Sequence, residues 1–130
     1  MTDLQEWIKQ ELTVDVNQEL SKHKENVKRL LRLTPSGEII LVHGNLSAKQ
    51  KILLYFIGKV YSKIANFSKD ASASNKELAE SLGLPEGTVK SALFSLRKEG
   101  FLIPIGAGTH QIKIERIGSA LDTYFGELEK

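Results

Sequence analysis

Residues 75–103 read NKELAESLGLPEGTVKSALFSLRKEGFLI, and this stretch indicates the fold. Apolar side chains recur at helical spacing on both sides of Gly83, a residue that can end the first helix in the left-handed conformation. Pro85 lies where the first turn of a second helix tolerates proline. That second helix stops at Gly100, and FLI then starts a strand. The stretch therefore predicts two short helices around a tight turn, followed by a strand.

The residues after Gly100 predict a hairpin and a last helix. FLIPI reads as one strand, GAGTH as a turn and QIKIE as a second strand. The last helix is predicted from about Ser119 to Glu127. Its apolar residues are Leu121, Tyr124, Phe125 and Leu128.

The residues before this stretch predict a long central helix. Ser47 and Gln50 fit a capping box, in which each side chain bonds a free backbone amide, so the helix begins there and runs to roughly Asn66. Its first half is apolar nearly all round, and Gly58 would let another backbone approach closely. The following segment, SKDASAS, reads as a loop. Ser74 and Glu77 form a second candidate capping box.

The N-terminal third predicts two helices and a strand. GEIILVHG, at 37–44, contains an apolar run that predicts a strand buried on both faces, which could add to the hairpin sheet. A helix is predicted from about Asn17 to Leu33, with Leu20, Val27, Leu30 and Leu31 on one side; it either forms a dimer seam or lies across the main domain. A first short helix covers 2–12 before Thr13 and Val14 interrupt it. Its stripe is Leu4, Trp7, Ile8 and Leu12.

Composition bounds the class of protein. At 130 residues the chain is one domain, or one domain with an appended element, and 41% apolar residues are enough for a core. No apolar run is long enough to span a membrane, and the start lacks the pattern of a secretory signal. The absence of cysteine excludes disulfides and thiolate metal sites and fits a cytoplasmic protein. We divide the chain into two parts. Residues 1–46 form a packing extension or dimerisation element, and residues 47–130 form the main domain.

Several motifs in the same order carry a resemblance. Ala79, Gly83 and Val89 have the spacing at which two such helices cross closely. RKEGFLI, a strand, a Gly-rich turn and a second strand look like a wing, and IERIGSALDTYF resembles the usual closing strand and helix. Residues 47–126 thus resemble the winged helix-turn-helix superfamily, including small archaeal-type members, whereas the first 46 residues match no family. The resemblance implies a mainly α fold with a small β-sheet and an N-terminal helical extension.

The resemblance also implies candidate nucleic-acid contacts. In winged-helix DNA binders the second helix of the motif enters the major groove, and the wing touches the backbone or minor groove. Carried over to this chain, the candidates are Thr88, Lys90, Ser91, Ser95, Arg97 and Lys98 on that helix, His110 and Lys113 on the wing, and Lys49 and Lys51 on the central helix.

Several features count against strong DNA binding. The net charge is only +2, with basic residues concentrated in 22–32 and 47–69. Residues 70–130 carry seven bases against nine acids, and the wing is short. Glu86 lies in the first turn of the second helix, where a phosphate would otherwise bind. The second helix has an inner stripe of Val89, Ala92, Leu93 and Leu96, and Phe94 lies roughly a hundred degrees from this stripe. We expect Phe94 to pack under the N-terminal helices or the wing; the alternative is an exposed contact for a protein partner.

No pattern of catalytic residues is present in the sequence. The three histidines are far apart without metal-ligand spacing, and GAG at 106–108 does not open a helix as a phosphate loop would. We predict no enzyme, no metal and no cofactor. The leading prediction is a cytoplasmic protein that binds duplex DNA, regulates transcription and forms a homodimer through its N-terminal helices. The alternative is a winged-helix module for protein–protein contact or for RNA or ribosome binding within a larger assembly.

Overall fold

The computed structural model describes residues 3–13 and 15–126, and it is mainly helical with two small antiparallel sheets. Val14, Glu127 and Leu128, which the sequence assigned to a helix break and to the last helix, lie outside the described residues. The helices are α1 (Asp3–Trp7, continued in π-helical form by Ile8–Leu12), α2 (Val16–Lys22), α3 (Lys24–Leu30), α4 (Ala48–Ile64), α5 (Asn75–Leu82), α6 (Glu86–Lys98) and α7 (Ile117–Phe125, after a 3-10 turn at Ile114–Arg116). The strands are β1 (Leu31–Leu33), β2 (Ile39–Leu41), β3 (Ala73–Ser74), β4 (Leu102–Gly106) and β5 (Thr109–Ile112).

Helix α4 is the centre of the fold, as predicted. Both bonds of its capping box are present: the Gln50 backbone N–H donates to Ser47 Oγ over 3.2 Å, and the Ser47 N–H donates to Gln50 Oε1 over 2.8 Å. Every residue from 52 to 58 is buried, so neighbours cover the helix in all directions. Those neighbours are the hairpin of β1 and β2, α5, α6, α7 and β5.

Helices α5 and α6 form the helix-turn-helix that the sequence predicted. Gly83 ends α5 in the left-handed conformation, with φ of +66°. Pro85 is the N-cap of α6, one residue before the helix begins. The predicted inner stripe of α6 is confirmed, since its four members are buried: Val89, Ala92, Leu93 and Leu96.

The wing is a three-stranded sheet in the order β3–β5–β4. The predicted hairpin is confirmed, with Leu102 of β4 opposite Ile112 of β5. The sequence assigned Ala73 to a loop, but Ala73 pairs with His110 and forms the short strand β3. The reason is that Ser74 must take an extended backbone to cap α5, and this extended segment lies against the edge of β5.

The hairpin of β1 and β2 corrects two predictions. The helix expected to reach Leu33 breaks at His23 and ends at Leu30, because Leu31 pairs with Leu41 across the turn at 34–37. Strand β2 does not join the wing sheet and is not buried on both faces, since Ile40 is 51% exposed. One face of this two-stranded sheet lies on α4, and nothing within the described residues buries the other.

The N-terminal helices behave differently from one another. Helices α2 and α3 join the common core through Leu20, Val27 and Leu30. The Tyr61 hydroxyl of α4 donates to the Leu20 carbonyl over 2.6 Å and fixes the end of α2. In contrast, every residue of α1 and its π-helical extension is exposed. In the part of the chain described, no helix combines the length and apolarity needed to cross a bilayer.

The hairpin and α6 lie on opposite sides of α4. Lys49 contacts Ser95 of α6, whereas Gly58 faces the side chain of Ile39 in β2. These two α4 residues are nine positions apart, which is about two and a half helical turns, so they point in opposite directions. The basic segment of α3 leads into the hairpin and packs mainly against α2 and β1 rather than against α6.

We predict that Gly58→Val destabilises the protein. A Cβ at this position would lie 2.8 Å from Ile39 Cγ2, so the hairpin would have to move away from α4. We expect the free energy of unfolding, measured by urea titration, to fall by about 1–3 kcal/mol. Gly87→Val is the control, because nothing lies within 4 Å of a Cβ there. Equal effects of the two substitutions would contradict a specific contact between Gly58 and Ile39.

Candidate nucleic-acid interface

The exposed side of α6 begins at a groove between α6 and the start of α4. The groove has a volume of about 510 Å³ and is lined mainly by small and hydroxyl-bearing residues. Small side chains leave room for another molecule to approach the backbone, and hydroxyl groups can bond either phosphates or base edges. The lining residues are Ala48, Lys49, Gly87, Thr88, Ser91, Ala92 and Ser95.

A second surface of α6 carries its positive charge. Lys90, Phe94, Arg97 and Lys98 lie at positions i, i+4, i+7 and i+8 and share one side of the helix. We call them the cation–aromatic stripe. Phe94 is 57% exposed, so the expectation that it packs under a neighbouring element is wrong. It follows Leu93, which faces the core, and the turn of the helix carries its ring out to solvent. Lys98 Nζ lies 5.6 Å and Arg97 Cζ 6.0 Å from the ring centroid.

Lys49 reaches the groove but is already paired. Its Nζ lies 2.6 Å from Glu99 Oε2 and 2.9 Å from Ser95 Oγ, and it stands 5.1 Å from the Tyr124 ring centroid. Burial disfavours the charged form of Lys49, but its hydrogen bonds with Glu99 and Tyr124 outweigh burial and raise its pKa. Burial likewise disfavours the charged Glu99, yet its hydrogen bonds, first to Lys49, lower its pKa overall. Lys49 and Glu99 thus stay ionised together and cancel much of each other's charge.

His110 is a correction to the predicted wing contacts. It is only 6% exposed, because alternate residues of β5 face inward and His110 is one of them. Its Nε2 lies 3.4 Å from Arg97 Nη1, so Nε2 must be the acceptor. Burial, and secondly the Arg97 charge, lower the pKa of His110. His110 therefore supports the Arg97 side chain from within the wing and is not itself an exposed contact.

Lys51 and Lys113 do not lie with the α6 residues. Lys51 is two positions after Lys49, so it points about 200° away from it around α4. Lys113 follows β5 and lines a groove with Val16 and Glu115. The wing tip from Ile105 to Gly108 is exposed and carries no charged residue.

The start of α6 carries an acid. Glu86 is exposed in the first turn, where the helix dipole favours a carboxylate and where it would repel a nearby phosphate. Over residues 3–13 and 15–126, no group of three metal-ligating side chains comes together.

A comparison with known families identifies this region. A family model described as winged helix-turn-helix DNA-binding matches residues 65–103, from the end of α4 to the start of β4. Residues 65–103 therefore match a winged helix-turn-helix DNA-binding domain, which confirms over these residues the resemblance seen in the sequence. No family matches the N-terminal region. Searches of curated proteins and of solved structures gave no significant match.

Sequence reasoning missed the pairing of Lys49, Glu99 and Tyr124. These residues come from α4, from the residue that ends α6 and from α7, and no local spacing connects them. Sequence reasoning also did not anticipate the contact between Arg97 and His110. An alternation count along β5 could have placed His110 on the same face as the buried Ile112.

We predict that His110 makes stability depend on pH. The pKa of His110 is lower in the folded state than its usual value of about 6.5 in the unfolded chain, so the unfolded chain takes up the proton first as pH falls. Stability is therefore complete above about pH 6.5 and declines as pH falls below it. We expect His110→Gln to flatten the fall of the urea midpoint between pH 7.5 and 5. His43→Gln is the control. A wild-type fall that His110→Gln leaves unchanged would contradict this role.

Proposed function

We propose that the protein binds duplex DNA through α6 and regulates transcription. One observation carries the proposal: Lys90, Arg97 and Lys98 project into solvent from the helix that enters the major groove in DNA-binding winged helices. The proposal assigns binding and no reaction. It keeps the cytoplasmic location expected from the sequence, because a chain without cysteine suits a reducing compartment.

Each candidate contact residue of α6 has a proposed role in DNA binding. Lys90 and Arg97 reach base edges or phosphates, and Lys98 reaches a phosphate near the end of the helix. Thr88 and Ser91 offer hydroxyl groups from the groove. Ser95 and Lys49 act as a bonded pair with Glu99, so a phosphate that approaches them competes with that carboxylate.

The charges predict modest affinity with a shallow salt dependence. The cation–aromatic stripe supplies three cations, and Glu86 opposes phosphate at the start of α6. Release of counterions from about three phosphates gives a slope of about −3 in a plot of log K against log salt concentration. A protein with six to ten phosphate contacts would show a much steeper slope.

The exposure of Phe94 favours a second candidate function. A large aromatic side chain uncovered in the middle of α6 is typical of protein contacts, where aromatic residues carry much of the binding energy. An unpaired RNA base could also stack on such a ring. The alternative is therefore a winged-helix module that binds a protein, RNA or the ribosome within a larger assembly.

Fluorescence anisotropy tests the DNA proposal. We expect labelled mixed-sequence duplex to bind in a salt-dependent manner, and we expect Lys90→Glu/Arg97→Glu to abolish binding at physiological salt. Lys24→Glu/Lys28→Glu is the control, because it changes net charge equally on α3, whose main contacts are with α2 and β1 rather than with α6. Equal losses in both double variants would indicate nonspecific attraction. Absence of wild-type binding even at low salt would contradict the proposal.

Phe94→Ala separates the two candidate functions. If α6 reads duplex DNA through its cations, we expect this variant to keep affinity within about threefold, since a ring without polar groups adds at most an apolar contact to a thymine methyl. A preference for structured RNA over duplex that Phe94→Ala removes would support the second candidate instead. Circular dichroism of the variant checks that α6 stays folded.

A further inference from the structure

Helix α1 and its π-helical extension present an apolar face that their own chain leaves uncovered. Leu4, Trp7, Ile8 and Leu12 lie at positions i, i+3, i+4 and i+8 and are between 42% and 64% exposed. Helices with such a stripe are stabilised mainly by packing the stripe against another surface. We call residues 3–12 the N-terminal arm.

An apolar groove lies close to the point where the arm leaves the domain. It forms between α2, the C-terminal half of α4 and the end of β5, with a volume of about 320 Å³, and we call it the α2–β5 groove. A shallower groove that shares Val16 and Ile112 continues it past Lys113. The residues that line the α2–β5 groove are Val16, Val60, Lys63, Ile64, Ala71, Gln111, Ile112 and Ile114.

The charges of the arm and of the groove are complementary. The arm carries Asp3, Glu6 and Glu11 against a single base, Lys9. Lys63 lies at the α2–β5 groove and Lys113 at its continuation, where Glu115 is the one acid. An amphipathic helix that lays its apolar face into a groove gains affinity from apolar anchors and orientation from such flanking charges.

The arm does not cover the groove of its own chain, because every residue from 3 to 12 is exposed. Thr13 and Asp15 both have an extended backbone, and the Asp15 side chain caps α2 by accepting from the Gln18 N–H. Three residues span at most about 10 Å, and Val16, which follows them directly, already lines the groove. An arm that lay on its own domain would need the chain to reverse direction between Leu12 and Val16, directly beside the Asp15 cap of α2.

We propose that the N-terminal arm docks in the α2–β5 groove of a second copy of the chain. Exchange of the two arms makes the contact reciprocal and closed, as a two-fold homodimer requires. Each apolar arm is then covered by a groove of matching character and opposite charge. The inference stands apart from the proposed function, because neither the arm nor this groove includes a residue of the cation–aromatic stripe.

Trp7 provides a direct test, since it is the single tryptophan of the chain. Sedimentation velocity and intrinsic fluorescence are followed together from about 1 µM to about 1 mM, a range that brackets ordinary subunit affinities. We expect the mass to rise to twice 14.5 kDa and the Trp7 emission to shift to shorter wavelength over the same concentrations. A monomer with unshifted emission throughout, or a blue-shifted emission from a protein whose mass stays that of a monomer, would overturn the proposal.

Substitutions on both surfaces locate the contact. We expect Leu4→Ser/Leu12→Ser and, separately, Ile64→Glu to weaken association at least about tenfold, because each removes an apolar anchor or buries a charge in its place. Ile64 is half exposed, so its replacement leaves the core intact. Ile105→Ser is the matched control, an equally exposed apolar residue on the wing that should leave association unchanged. A dimer that survives Ile64→Glu would place the contact elsewhere and overturn the proposal.

A charge exchange completes the test without touching the apolar residues. We expect Lys63→Glu/Lys113→Glu to weaken association, and we expect the further change Glu6→Lys/Glu11→Lys to restore it. Restoration supports docking of the arm in the groove. If Glu6→Lys/Glu11→Lys instead weakened association further, the acids of the arm would not face these two lysines, and the proposal would be overturned.

Discussion

Burial of α4 on every side is the constraint on which the rest of the structure depends. Seven consecutive residues, 52–58, are buried, and consecutive helical residues point in all directions. A single layer cannot cover such a helix, so α5 and α6, α7, the wing and the β1–β2 hairpin surround it. The winged-helix layout supplies three of these covers. The hairpin supplies the fourth, and it therefore belongs to the core although it joins neither the helix-turn-helix nor the wing sheet.

The same constraint leaves the outer side of α6 available. Helix α6 meets the core through a single stripe of four buried residues, and none of its other residues is buried. However, two of the cations near this side already contact other side chains of the fold: Lys49 pairs with Glu99, and Arg97 contacts His110. The interface is therefore built from few free cations, an exposed aromatic ring and small polar residues. Such a surface suits weak or cooperative DNA binding better than strong binding by a single copy.

The core ends at α2, so the N-terminal region is buried in part from α2 onward and exposed before it. Leu20 is held by burial and by the hydrogen bond from Tyr61, whereas no residue of the N-terminal arm is buried. The chain carries both halves of one contact: the apolar stripe around Trp7 on the N-terminal arm, and the apolar α2–β5 groove on the domain. In the proposed dimer a second copy brings those halves together, and pairing would also place two copies of α6 on one assembly.

The sequence by itself determined what depends on neighbours within a turn or two. Ser47 with Gln50 marked the start of α4, Gly83 marked the end of α5, and the inner stripe of α6 followed from helical spacing. Tertiary structure decided what depends on residues far apart. Leu31 fits a helical stripe as well as it fits a strand, and only Leu41 across the hairpin makes it a strand. Helical spacing places Phe94 outside the inner stripe of α6, but it does not say whether a neighbouring element covers the ring. That depends on where the N-terminal helices pack. The pairing of Lys49 with Glu99 and the burial of His110 likewise arise between elements, because charge cancellation and desolvation depend on distance in space and not along the chain.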